Sequence, residues 1–155
     1  MSSDLNSLLS QKGKKILFVG IGNVLKMDDG VGVYISRKIK NTSSVSALTA
    51  EVSIENYIGK INSLNPDLLV LIDSVDIQSS PGVYKLLSIS NIQDLTFNTH
   101  NISLRRLSEF FGMPVFILGI QPEKVDLGEN ISYIVQKAAD KIVQLINTKE
   151  VHNGN

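Results

Sequence analysis

The sequence contains no cysteine and no tryptophan, carries no net charge, and its longest apolar run, Leu68–Ile72, has five residues. The missing cysteines exclude a disulfide framework and any thiolate metal site. A five-residue run is far short of the about 20 apolar residues a membrane-spanning helix needs. Fifteen basic residues balance fifteen acidic ones, so no basic surplus points to nucleic acid. Neither nucleic acid nor membrane insertion is expected, and a cytoplasmic location is. Residues 1–14 are polar, lack the apolar centre of a signal peptide, and are expected to form a flexible extension. Residues 149–155 are expected to be a flexible tail.

What is present describes one domain, residues 15–148, with 43% apolar and 19% charged residues over the whole chain, ordinary values for a globular fold. Three segments are apolar almost throughout: Ile16–Val19, Leu68–Ile72 and Val115–Ile120. Unbroken runs, rather than alternation, suit central strands covered on both faces. Between them lie helical spacings. One runs through Val31, Tyr34, Ile35 and Ile39, and another through Ile58, Ile61 and Leu64, stopped by Asn65-Pro66. A third carries Leu104, Leu107 and Phe111. The last forms a stripe from Ile131 through Ile134, Val135, Ala138, Ile142 and Leu145 to Ile146. Val45–Val52 and Val83–Leu87 read as further strands. The connection from Ile72 to Val83 is too short for a parallel crossover, so Val83–Leu87 is expected to be an antiparallel edge. The expected fold is a three-layer α/β/α sandwich with a mixed, mostly parallel sheet of about five strands.

Ligands of open α/β sheets bind beyond the carboxyl ends of the parallel strands. There the first strand runs into Gly20-Ile21-Gly22-Asn23 and then Asp28-Asp29, another strand ends in Asp73, and the last central strand ends in Gly119-Ile120-Gln121-Pro122. His100 opens the helix that feeds that last strand, so it starts at the same edge. Two carboxylates and an imidazole make a set suited to a borderline divalent metal such as nickel or zinc. Each residue also has a plainer reading. Asp28 can cap the following helix and Asp29 complement its dipole, Asp73 can be a turn residue, Thr99-His100-Asn101 a cap, and Gln121 a strand exit. A dinucleotide site fits poorly: the third glycine of G-x-G-x-x-G would fall on Leu25, and two carboxylates would repel a pyrophosphate.

The segment Gly20-Ile21-Gly22-Asn23 with Asp28-Asp29-Gly30-Val31-Gly32 resembles the N-terminal motif of the nickel–iron hydrogenase maturation endopeptidases. Leu71-Ile72-Asp73-Ser74-Val75-Asp76 with Ser80-Pro81-Gly82 resembles their second block, Thr99-His100-Asn101 with Leu104 their third, and Gly119-Ile120-Gln121-Pro122 a fourth. Ile54-Glu55-Asn56 followed by Ile58 is similar to the subgroup that processes the large subunit of hydrogenase 3, the formate hydrogenlyase type. Two departures stand out. A glycine pair frequent in the family is replaced by Glu51 and Val52, and Ser74 takes the place of a common alanine.

The resemblance implies the α/β/α fold and an endopeptidase, aspartic-type by family classification. Its partner is the [NiFe] hydrogenase large-subunit precursor, whose C-terminal extension it removes after nickel insertion. By motif match, Asp29, Asp73 and His100 contact nickel, which belongs to the substrate. Asp29 or Asp73 then activates water as general base. Asn23, Glu55, Asn101 and Gln121 are candidate substrate-binding residues. Open alternatives are a nickel-sensing chaperone that does not cut and a general metallohydrolase.

Overall fold

The structure, a computed structural model, describes residues 2–89, 96–97 and 104–149. Helix α1 (Ser2–Leu9) leads into β1 (Ile16–Ile21), a 3-10 turn (Met27–Gly30) and α2 (Val31–Lys38). Then come β2 (Val45–Glu51), a second 3-10 turn (Ile54–Tyr57), α3 (Ile58–Leu64), β3 (Leu68–Asp76), β4 (Tyr84–Ser88) and β5 (Thr96–Phe97). Helix α4 (Leu104–Leu107), β6 (Val115–Ile120) and α5 (Tyr133–Asn147) complete the chain.

The sheet order is β2-β1-β3-β6-β4, with β5 paired to the end of β3. Strands β2, β1, β3 and β6 are parallel, and β4 lies antiparallel on β6 at the edge. All six residues of β1 and the first eight of β3 are buried, as expected of strands with helices on both faces. The pleat divides the core in two. Ile16, Phe18, Leu68, Val70 and Ile72 pack with α1, α2 and α5; Leu17, Val19, Leu69, Leu71 and Val75 pack with Ile54, Ile61 and Leu107 of the opposite layer. The five-strand mixed sandwich is as the sequence predicts, with β5 added as a two-residue pairing. Asn65 ends α3 in the left-handed region at φ 49°, a conformation asparagine tolerates better than most residues. Among the described residues no helix is long and apolar enough to cross a membrane.

The N-terminal expectation is corrected. Ser2–Leu9 is a helix, and Leu5, Leu8 and Leu9 are buried with Ile142 and Ile146 of α5. Helix α1 also packs on β4, the antiparallel edge strand. At the other terminus, the Lys149 ammonium donates to the carbonyls of Leu9 and, at 3.1 Å, Gln11, satisfying acceptors left open at the end of α1. Burial lowers the Lys149 pKa. Of the expected tail 149–155, Lys149 is thus held against α1, and residues 150–155 lie outside the described residues.

Candidate active site

The first glycine segment is shaped by close packing of α2 on the sheet. Helix α2 crosses the ends of β1 and β3 so closely that a methyl on Gly32 would overlap the carbonyls of Ile72 and Ile21. A methyl on Gly20 would meet Ser36 and the Gly32 carbonyl. Gly22, at φ 136°, turns the chain out of β1 in a conformation that favours glycine. The 3-10 turn Met27–Gly30 then carries two aspartates, both completely buried.

These neighbours do different work. The Asp28 carboxylate accepts hydrogen bonds from the N–H groups of Glu123 (2.8 Å), Lys124 (3.0 Å) and Ser132 (2.6 Å) and from the Ser132 hydroxyl (2.7 Å). It fastens the loop between β6 and α5, so the capping expectation gives way to a longer-range role. Asp29 faces the sheet edge. Its Oδ2 accepts from the Asn23 N–H at 3.0 Å and its Oδ1 from the Ser74 hydroxyl at 2.9 Å.

Asp73 is completely buried at the carboxyl end of β3, and its Oδ1 accepts from the Ser74 N–H at 2.8 Å. Alternation along β3 assigns Asp73 to the face of Leu71 and Val75, and Ser74 to the face of Ile72. The two aspartates thus come from opposite layers and share two neighbours, of which Ser74 touches both carboxylates. Ser74 donates to both, and a Cβ on Gly22 would lie 3.2 Å from the Asp29 carbonyl carbon and 3.5 Å from Asp73 Oδ1. The linking role of Ser74 has no signature in the sequence beyond a hydroxyl beside a strand-end carboxylate; only the pleat and the course of α2 bring it to Asp29.

The remaining candidates separate. The Asn23 side-chain oxygen accepts from the Leu25 N–H at 2.9 Å, closing a local turn. The Gln121 side-chain oxygen accepts from the N–H groups of Ile77 (2.8 Å) and Ser79 (3.3 Å), pinning the connection from β3 to β4. Glu55 is exposed on the 3-10 turn that follows β2. His100 and Asn101 lie outside the described residues. Among the described residues no three His, Cys, Asp or Glu side chains converge on one point, and no buried side-chain polar atom lacks a hydrogen-bond partner. An open cavity of about 330 Å³ borders the turn, lined by Val24, Met27, Gly30, Val33, Tyr34 and Ile131 among others.

What the arrangement offers chemically is two buried carboxylates at the open edge of a parallel sheet, each held by oriented donors. Such groups can accept a proton from water or bind a divalent cation presented to them.

Known proteins carry the same architecture. The crystal structure of a [NiFe] hydrogenase maturation protease HycI from Thermococcus kodakarensis matches with a TM-score of 0.81 at 28% identity, covering 93% of this chain and 96% of that one. The solution structure of an endopeptidase HycI from Escherichia coli matches with a TM-score of 0.74 at 26% identity, covering 86% and 89%. In sequence, a Methanocaldococcus jannaschii relative named "Putative hydrogenase maturation protease MJ0631" is 28% identical over 147 residues, 86% of each chain. The HycI family model, described as hydrogenase maturation protease, matches residues 31–149, which is most of the chain and includes Asp73, Ser74 and Gln121. The protein therefore belongs to the hydrogenase maturation proteases of the HycI family, a family of endopeptidases.

Proposed function

We propose that this protein removes the C-terminal extension from the large-subunit precursor of a [NiFe] hydrogenase, acting after nickel has been inserted. The observation that carries this reading is the pair Asp29 and Asp73, both fully buried and both held by Ser74 at the carboxyl edge of the sheet in a chain of the maturation protease family. Nickel arrives with the substrate. Asp29 and Asp73 meet it at the edge, and His100 is the third contact. The pairing of Phe97 with Val75 supports that assignment, because it brings the chain, three residues before His100, to the end of the strand that carries Asp73.

Docked nickel places the scissile segment beside a carboxylate that serves as general base toward water, which is the aspartic-type assignment. The positive charge of the ion favours the oxyanion that develops on the attacked carbonyl. Glu55 and Asn101 are assigned to precursor recognition, and Ile54-Glu55-Asn56 supports a hydrogenase 3-type precursor. The carboxamide oxygens of Asn23 and Gln121 are held by backbone N–H groups, which supports their shaping the loops of the site. The chain acts in the cytoplasm, in keeping with its lack of cysteine.

Intact-mass spectrometry of a large-subunit precursor from the same genome, incubated with this protein with and without loaded nickel, tests the reading. Loss of one C-terminal peptide from the nickel-loaded form alone is the expected result, abolished in Asp29→Asn and Asp73→Asn. Binding without any mass change in either form would assign a chaperone role instead. Stoichiometric metal in the purified protein, with chelator-sensitive hydrolysis, would assign a metallohydrolase.

A further inference from the structure

We propose that Ser74 is a positioning residue for the cleavage reaction, its buried hydroxyl fixing how Asp29 is turned relative to Asp73; this rests on the endopeptidase reading above. The terminal torsion of an aspartate is soft and roughly two-fold, so the carboxylate plane is set by its donors. Among the described residues, each Asp29 oxygen has one donor: the Asn23 N–H at 3.0 Å and the Ser74 hydroxyl at 2.9 Å. The first is a backbone donor that any residue except proline would supply at position 23. The second depends on side-chain identity at position 74.

The two donors also differ in what they are attached to. Asn23 belongs to the loop after β1, whereas Ser74 lies in β3, the central strand, opposite Ile120 of β6. Ser74 gives its main-chain N–H to Asp73 Oδ1 at 2.8 Å and its hydroxyl to Asp29 Oδ1. One residue of the most constrained strand therefore orients both carboxylates. The Ser74 hydroxyl donates to Asp29 Oδ1 at 2.9 Å, which fixes that oxygen to the central strand. An alanine at this position, although common in the family, would in this chain leave Asp29 tethered by the loop alone.

The test uses the full chain and a nickel-loaded large-subunit precursor, with kcat and KM measured well below the melting temperature of each variant and rates normalised to folded protein. Ser74→Ala is expected to lower kcat about 10- to 100-fold, the scale of a misplaced catalytic group, with KM unchanged within about threefold. A double-mutant cycle adds the discriminating readout. If Ser74 acts through Asp29, S74A costs nothing further in the background of D29N. A kcat within about threefold of wild type in S74A, an effect on KM alone, or losses that multiply in the double variant would each overturn the proposal. If D29N leaves no measurable cleavage, the kcat and KM of S74A decide. Wild-type protein that leaves the nickel-loaded precursor intact refutes the endopeptidase reading itself, a different outcome from wild type and S74A cutting equally well.

Discussion

The Asp28 carboxylate takes two hydrogen bonds from Ser132, from its N–H at 2.6 Å and its hydroxyl at 2.7 Å, across 104 residues of sequence. With the N–H groups of Glu123 and Lys124, four donors converge on one buried side chain. Asp28→Ala strands them and is expected to cost about 2–4 kcal/mol, since an unsatisfied buried polar group costs about 1–3 kcal/mol and some of these reach water. Ser132→Ala removes one hydroxyl and is expected to cost about 1 kcal/mol. Urea unfolding midpoints of the two variants check the order, and equal effects would remove Asp28 as the hub of that loop.

Gly32 tolerates no side chain, because the atoms that would meet a methyl are the backbone carbonyls of Ile72 and Ile21, which cannot swing away. Gly32→Ala is expected to lose about 3 kcal/mol and to displace the turn that carries Asp29. Gly59, in α3, has nothing within 4 Å of the point where a Cβ would stand, so Gly59→Ala should gain a few tenths to about 1 kcal/mol. Thermal melts of the pair give opposite signs if helix α2 packs as described.

Helix α1 is part of the core. Leu5 is 0% exposed, and Leu5→Ala is expected to cost about 2–5 kcal/mol, lowering Tm by about 5–15 °C for a domain of this size. An unchanged melting temperature would return residues 1–14 to the status of a loose extension.

Glu51 occupies the left-handed region at φ 55°, at the irregular pairing where Ile21 meets Glu51 and its carbonyl accepts from the Gly22 N–H at 3.0 Å. A non-glycine residue pays about 1–2 kcal/mol there, partly offset in glycine by its freer unfolded chain. Glu51→Gly should therefore raise stability by about 0.5–1 kcal/mol, measured by denaturant titration. A loss would mean the Glu51 side chain makes contacts that outweigh the backbone strain.

Tyr34 donates to Asp140 at 2.7 Å. Desolvation first, then that hydrogen bond and the Asp140 charge, push its phenol pKa up to about 12. The folded protein keeps a proton that the unfolded chain releases near pH 10. The contribution is thus complete below about pH 10 and lost as pH rises toward the folded value. Tyr34→Phe should flatten the decline of stability between about pH 10 and 12, read from unfolding midpoints. An unaltered slope would show that Tyr34 ionises alike in both states.

The layers and most of the sheet were legible because their signals are local. Leu68–Ile72 reads as a central strand wherever it is placed, since five consecutive apolar residues have no polar face to give to water. The α5 stripe and the Asn65-Pro66 stop are read within one or two turns of helix. That stripe is buried at Val135, Ile142 and Ile146 as read, and at Ala139 rather than Ala138, with Ile134 exposed. Residues 1–14 misled because Leu5, Leu8 and Leu9 are too few for a periodic signal, and their burial depends on β4 and α5, distant in the chain.

By itself the sequence determined the α/β/α class, the edge on which the candidate residues fall, and the candidates Asp29 and Asp73 themselves, because period, run length and strand ends are properties of neighbouring residues. Tertiary structure alone decided that Asp28 braces a loop while Asp29 is held by Ser74, 45 residues away. It also decided that the side-chain oxygens of Gln121 and Asn23 accept from backbone N–H groups. Those outcomes depend on which donor reaches which buried carboxylate, and that is set by how α2 crosses the strand ends, at distances along the chain where sequence pattern carries no information.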